Sequence, residues 1–200
     1  KALCYYDNNV TGTINLLKIM EKHNCYNFIF SSSATVYGNS TPPYKEDTKT
    51  GIGITNPYGQ TKYIQEIILK DICVSNKKWN IIALRYFNPI GHLDKKIRDD
   101  PNGIPNNLFP YIYKVDKGEL KQLTIFGNDY QESSDGTCIR DFIHVVDLAN
   151  AHMEVCKCLI YKFSILEEGK QLKGYNIFNI GTGKGVSVKQ LIKAYEKANN

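Results

Sequence analysis

The sequence predicts an α/β chain organised on a parallel sheet, and three observations carry that expectation. Apolar runs without alternation recur at residues 27–30, 81–85 and 175–180, the pattern of strands buried on both faces. Segments with helical periodicity alternate with these runs, 6–23 before the first and 57–75 between the first and second. Each run also ends in turn-forming residues: Ser31-Ser32-Ser33, then Asn88-Pro89, then Gly181-Thr182-Gly183.

In chain order, residues 6–23 read as a helix with Val10, Ile14, Leu17 and Met20 on one face. Asn8, near its start, suits a helix cap. The strand at 27–30 runs into Ser31-Ser32-Ser33-Ala34-Thr35-Val36-Tyr37-Gly38, and residues 39–55, rich in Pro, Gly and Thr, read as a loop. Asn56 is a good N-cap and Pro57 a good first helical residue, which predicts a helix over 57–75 carrying Ile64, Ile67, Ile68 and Ile72. The strand 81–85 follows. Residues 91–107 read as irregular, 106–117 as a helix, 124–126 as a short strand and 146–161 as a helix leading through a linker to strand 175–180. The run Gly181-Thr182-Gly183-Lys184-Gly185 has Val186 where the third glycine of a dinucleotide fingerprint belongs, so it reads as a tight turn before a helix capped by Ser187.

The chemistry concentrates between Ser31 and Lys62. In open α/β sheets ligands bind beyond the carboxyl ends of the strands, where the serines lie. Tyr58 and Lys62 stand four apart on one helix face. A free phenol has a pKa of about 10 and is a poor base at neutral pH, whereas a nearby ammonium favours the phenolate. Bringing a phenol down to about 7 takes roughly 4 kcal/mol of differential stabilisation, attainable in a dry pocket beside a helix N-terminus. Such a tyrosine can take a proton from a sugar hydroxyl that Ser33 also holds.

Seven runs in order carry a resemblance: Tyr5-Tyr6-Asp7-Asn8-Asn9-Val10-Thr11-Gly12-Thr13, the SSSATVYG run, Asn56-Pro57-Tyr58-Gly59-Gln60-Thr61-Lys62, Leu84-Arg85-Tyr86-Phe87-Asn88-Pro89, Gly103-Ile104-Pro105-Asn106-Asn107-Leu108, Phe126-Gly127-Asn128-Asp129-Tyr130 and Arg140-Asp141-Phe142-Ile143-His144-Val145-Val146-Asp147-Leu148-Ala149. The chain resembles the UDP-glucose 4-epimerases (UDP-galactose 4-epimerases) of the extended short-chain dehydrogenase/reductase family. The resemblance implies a Rossmann-type parallel sheet lacking its N-terminal dinucleotide half, with a smaller α/β substrate region. Residues 1–90 would be the C-terminal part of the NAD-binding domain with the catalytic Ser33, Tyr58 and Lys62. Residues 91–200 would mainly bind the nucleotide sugar, with strand 175–180 returning to the first sheet.

The implied activity is NAD-dependent interconversion of UDP-glucose and UDP-galactose. Hydride leaves C4, the 4-keto sugar turns over, and hydride returns. Asn8, Ser33, Tyr58, Lys62 and Phe87 would contact NAD. Ser33, Tyr58, Asn88, Asn107, Leu108, Phe126 and Arg140 would contact the UDP-sugar, with the Arg140 guanidinium suited to a bidentate phosphate contact or, structurally, to a pair with Asp141. A homodimer through helices 6–23 and 57–75 is implied as well. Ala34-Thr35-Val36 stands where related dehydratases and decarboxylases carry acidic residues, which favours epimerisation. Phe142 replaces a tyrosine common in the family, and the loop 131–135 is one residue longer. Another nucleotide-sugar epimerase or dehydratase, or a non-catalytic NAD- or nucleotide-sugar-binding protein, are the alternatives. By the same resemblance, roughly 90 residues with a glycine fingerprint and a ribose-binding carboxylate lie upstream, and the position that gates N-acetylated sugars lies beyond Asn200.

Composition sets limits. The chain is 42% hydrophobic and 22% charged, near the average of globular proteins. Its net charge is +5, but only three of its 25 basic residues are arginine and the lysines are scattered, so a nucleic-acid interface is not expected. No apolar run reaches the length of a membrane span and no signal peptide is visible. The six cysteines show no zinc spacing, and His144 and His152 are not spaced as metal ligands, so no metal is expected and the thiols suit a reduced, cytoplasmic protein.

Overall fold

Strands with apolar side chains on both faces need a cover on each side, and helices supply it. The computed structural model describes residues 1–93, 107–161 and 172–199 and divides into two units, residues 1–86 with 149–180 and residues 87–148 with 181–200.

The first unit is built on a parallel sheet of β1 (Asn27–Ser33), β2 (Asn80–Tyr86) and β5 (Gly174–Ile180) in the order β1-β2-β5. The register sets Ser33 opposite Tyr86 and Tyr86 opposite Ile180. α2 (Gly12–Lys22) and α3 (Pro57–Ser75) cover one face, burying Leu17, Leu69, Cys73 and Trp79 with Phe30, Ile81 and Ala83. Val155, from α5 (Val145–Tyr161), packs with Ile82 and Leu84 on the other. The arrangement is an α/β layer fold with a Rossmann-type parallel sheet.

The first helix differs from the expected uniform helix over 6–23. A short α1 (Ala2–Tyr5) passes into a π-helical segment, Tyr6–Thr11, and then into α2. Asn8 therefore lies inside the helix and caps nothing. α3 begins as the sequence indicates: Asn56 Oδ1 accepts from the Gly59 amide at 2.8 Å, with Pro57 in the first helical position.

The loop over 39–55 folds back onto the short 3-10 turn Ala34–Tyr37, with Asn39 donating to the Ile52 carbonyl at 3.1 Å and Gly51 to that of Val36 at 2.9 Å. Gly38 permits this approach. Its φ is +59°, and a Cβ there would lie 1.9 Å from the Ile52 carbonyl oxygen. Gly38→Ala is expected to destabilise the first unit by about 2–3 kcal/mol, measured by urea unfolding, because both the conformation and the space are refused.

The second unit joins β3 (Asn88–Ile90), β4 (Ile139–His144) and β6 (Gly185–Ser187), with β3–β4 parallel and β4–β6 antiparallel. α4 (Leu108–Asp116) and α6 (Val188–Asn199) meet through an edge-to-face Phe109–Tyr195 pair, ring centroids 5.6 Å apart. Ser187 caps α6 reciprocally: its Oγ accepts from the Gln190 amide at 3.1 Å while Gln190 Oε1 accepts from the Ser187 amide at 2.9 Å. The short strand expected at 124–126 does not form. Those residues pair with no neighbouring strand among the described residues, and Phe126 is 85% exposed. Most of the irregular segment expected over 91–107 lies outside the described residues.

Candidate active site

In the first unit the strand end and the first turn of α3 come together through small residues. Ser33 closes β1 and caps the 3-10 turn, its Oγ accepting from the Thr35 amide at 3.2 Å and the Thr35 hydroxyl at 3.0 Å. Thr35 in turn packs on α3, where a Cβ on Gly59 would meet Thr35 at 3.3 Å and Ile54 at 2.7 Å. Gly59 thus lets the helix turn bearing Tyr58 approach the serine turn.

Tyr58 is 37% exposed, its ring edge-on to Tyr5 at 6.5 Å. Lys62, one turn on, holds Nζ 5.6 Å from the Tyr58 ring centre and 5.0 Å from that of Phe30. Nζ donates to the Ser31 carbonyl at 2.9 Å, and burial pushes the Lys62 amine below the ordinary lysine value. A lysine short of water gains from a negative partner, and the phenol one turn away can become one. The structure therefore brings Ser33, Tyr58 and Lys62 to one end of β1. Asn8 is exposed on the π-helical segment, its Nδ2 donating to Asn9 Oδ1 at 2.9 Å.

Two groups beside this cluster were not singled out as site residues from sequence. The Tyr86 hydroxyl, at the end of β2, donates to Ser31 Oγ at 2.7 Å and lies 2.5 Å from His152 Nε2. Burial pushes the Tyr86 phenol up, the Ser31 bond draws it back, and negative charge on Tyr58 pushes it up again. The second group lies deeper. Glu66, one turn beyond Lys62, receives two hydrogen bonds from Arg85, Nε to Oε1 at 3.0 Å and Nη2 to Oε2 at 2.7 Å, and one from Ser32 at 2.5 Å. Arg85 continues to the Tyr37 hydroxyl at 2.9 Å, which donates to Asn179 on β5 at 2.6 Å. Burial draws the Arg85 guanidinium down, but the Glu66 carboxylate outweighs it and holds the cation well above its ordinary value. A signal did exist: a charged residue closing the apolar run 81–84 requires a buried partner.

The second unit carries the remaining candidates. Phe87 precedes β3, lying 3.0 Å from where a Gly181 Cβ would be. Asn88 is exposed at the start of β3, opposite Phe142. Asn107 occupies the N-cap position of α4 without a side-chain bond to the helix amides, and Leu108 is the first helical residue. Phe126 is open to solvent. Arg140 is exposed on β4, its Nη1 donating to the Ile139 carbonyl at 2.8 Å.

The Arg140–Asp141 pair that sequence allows does not form. Asp141 instead accepts from the Thr182 amide at 2.9 Å, the Thr182 hydroxyl at 2.7 Å and the Gly183 amide at 2.8 Å. The Thr182 and Gly183 amides of this turn are therefore occupied by a carboxylate rather than offered to a phosphate. No group of three metal-ligating side chains occurs among the described residues. No helix among them is long and apolar enough to cross a membrane.

The comparisons with known proteins agree with one another. The model of the family described as "NAD dependent epimerase/dehydratase family" matches residues 1–181. A UDP-glucose 4-epimerase of Haemophilus influenzae is 50% identical over 198 residues, 98% of this chain and 55% of that protein. The human UDP-glucose 4-epimerase is 49% identical over 200 residues, 99% of this chain and 54% of its own length. Among solved structures, the UDP-glucose 4-epimerase from Bifidobacterium longum in complex with NAD+ and UDP superposes with a TM-score of 0.84 at 49% identity, over 96% of this chain and 54% of that one. The chain spans about half the length of the curated relatives it matches.

Proposed function

Because the chain belongs to the NAD dependent epimerase/dehydratase family, we propose that the protein containing it interconverts UDP-glucose and UDP-galactose with NAD. The observation that carries this reading is the Ser33–Tyr58–Lys62 cluster at the end of β1, within a chain 49–50% identical to UDP-glucose 4-epimerases. Tyr58 takes the proton of the sugar 4-hydroxyl, and Ser33 orients the same oxygen. Lys62 supplies the cation that favours negative charge on the phenol. NAD, when bound, supplies the hydride acceptor and donor at sugar C4. The sugar must present its opposite face before Tyr58 returns the proton, and this inverts C4.

The donor set of the first unit fits the nicotinamide–ribose half of NAD. It comprises the Asn8 amide, the Ser33 hydroxyl, the Tyr58 phenol and the Lys62 amine, with no carboxylate among them; the aromatic Phe87, on the second unit, is assigned to NAD as well. On the second unit the nucleotide sugar is assigned to Asn88, Asn107, Leu108, Phe126 and Arg140. The exposed guanidinium and the exposed aromatic ring support that assignment as phosphate and base contacts. Apolar side chains left open on the helical face, Leu3, Leu16 and Ile19 on α1–α2 with Ile67 and Val74 on α3, support a homodimer through these helices. The free cysteines support a cytoplasmic location.

The test uses the full-length protein. Given UDP-galactose it is expected to yield UDP-glucose, and Lys62→Met is expected to lower kcat about a hundredfold with a smaller effect on UDP affinity. Product analysis with UDP-N-acetylgalactosamine in parallel defines the substrate range. Absence of any epimerised product from either sugar nucleotide refutes the reading.

A further inference from the structure

We propose that Asn9, Thr61 and Gln65 are positioning residues for the cofactor. They hold the π-helical segment in register with the turn bearing Tyr58 and Lys62, and so fix Asn8 for contact with the nicotinamide end of NAD. The proposal rests on the cofactor reading above.

The π-helical segment places one more residue per turn than its α-helical flanks. The Gly12 amide reaches back to the Asp7 carbonyl, five residues away. Such widening is rare, and single π turns inside α-helices concentrate at functional sites. Something outside the helix must favour it, and here that is α3. Gln65 Nε2 donates both its hydrogens across the helix pair, to the Asn9 carbonyl at 2.9 Å and to Thr13 Oγ1 at 2.6 Å. Gln65 Oε1 has no partner among the described residues, so this amide is held from its nitrogen end.

A second line of hydrogen bonds runs in a single direction. Asn8 Nδ2 donates to Asn9 Oδ1 at 2.9 Å, Asn9 Nδ2 to Thr61 Oγ1 at 2.9 Å, and the Thr61 hydroxyl to the Tyr58 carbonyl at 2.7 Å. The line begins on the amide assigned to the cofactor and ends on the backbone of the assigned base. Thr61 is fully buried and Gln65 is 3% exposed. Apolar side chains would fill these positions with less desolvation, whereas the directional bonds from Gln65 Nε2, Asn9 Nδ2 and the Thr61 hydroxyl favour a single register. The consequence is geometric: the extra residue rotates Asn8 relative to α2, and the bonds to α3 tie that rotation to Tyr58.

The experiment compares full-length parent, Thr61→Val, Asn9→Ala and Thr61→Ser after removal of bound cofactor. NAD and UDP affinities are measured by calorimetry, with thermal midpoints recorded alongside. Thr61→Val and Asn9→Ala are expected to weaken NAD about tenfold while UDP affinity stays within twofold, and Thr61→Ser, which keeps the hydroxyl, is expected to recover NAD affinity to within threefold of the parent. Should Thr61→Val not fold, the half-buried Asn9→Ala decides. NAD affinity within twofold of the parent despite a lowered midpoint overturns the proposal, as does an equal loss of NAD and UDP, or a Thr61→Ser variant as weak as Thr61→Val. A parent that binds no NAD refutes instead the cofactor reading beneath it, so the two failures are distinguishable.

Discussion

Tyr58→Phe in the full-length protein is expected to lower kcat for UDP-galactose by about a thousandfold, with KM for the sugar nucleotide within a few-fold and the thermal midpoint unchanged. The substitution removes one oxygen and keeps the ring. The ring makes the packing contacts, edge-on to Tyr5 and beside the Lys62 amine. The residue is more than one-third exposed, so its hydroxyl is not needed to hold the helix in place. Loss of the proton acceptor without loss of binding would appear as a fall in kcat alone. Steady-state kinetics on parent and variant decide it, and activity within a few-fold of the parent ends the assignment of Tyr58 as the base.

Glu66→Ala should produce the largest loss of stability, about 3–5 kcal/mol by urea unfolding of the full-length protein. Glu66 and Arg85 are 5% and 2% exposed, and the two oxygens of Glu66 receive three hydrogen bonds. Removing the carboxylate leaves a buried guanidinium and a buried Ser32 hydroxyl without their acceptor. Replacing both members, Glu66→Met with Arg85→Met, should cost much less than Glu66→Ala, because no unpaired charge remains. A single variant that unfolds at the parental urea concentration would show the pair to be dispensable. The placement matters for activity as well. Glu66 sits one turn beyond Lys62, and Ser32 adjoins Ser33, so the pair locks α3 to the strand end from beneath the candidate base.

Local signals account for much of what the sequence disclosed. Asn56 and Pro57 define the start of α3 because a cap and a first-turn proline act within a few residues. Ser187 defines the start of α6 for the same reason. The three apolar runs mark the parallel strands because burial on both faces leaves no room for alternation. Long-range partners explain what stayed hidden. The π-helical segment depends on Gln65 and Thr61, more than fifty residues away in the chain. Asp141 abandons its neighbour Arg140 for the turn at Thr182, 41 residues away. Thr124-Ile125-Phe126 has strand composition, yet a strand exists only where another pairs with it, and none does among the described residues. Within the candidate site, the Tyr58–Lys62 spacing and the adjacent serine were legible, whereas the link between Tyr86 and His152 was not, because it joins residues 66 apart in the chain.

The order β1-β2-β5 leaves β1 on the outside of its sheet, with one row of backbone groups facing no strand among the described residues. That rim is adhesive. Handled as the isolated 200 residues, the chain should recruit a like strand from a second molecule and precipitate as its concentration rises. A stretch of polypeptide supplied to lie along β1 should instead keep it dispersed.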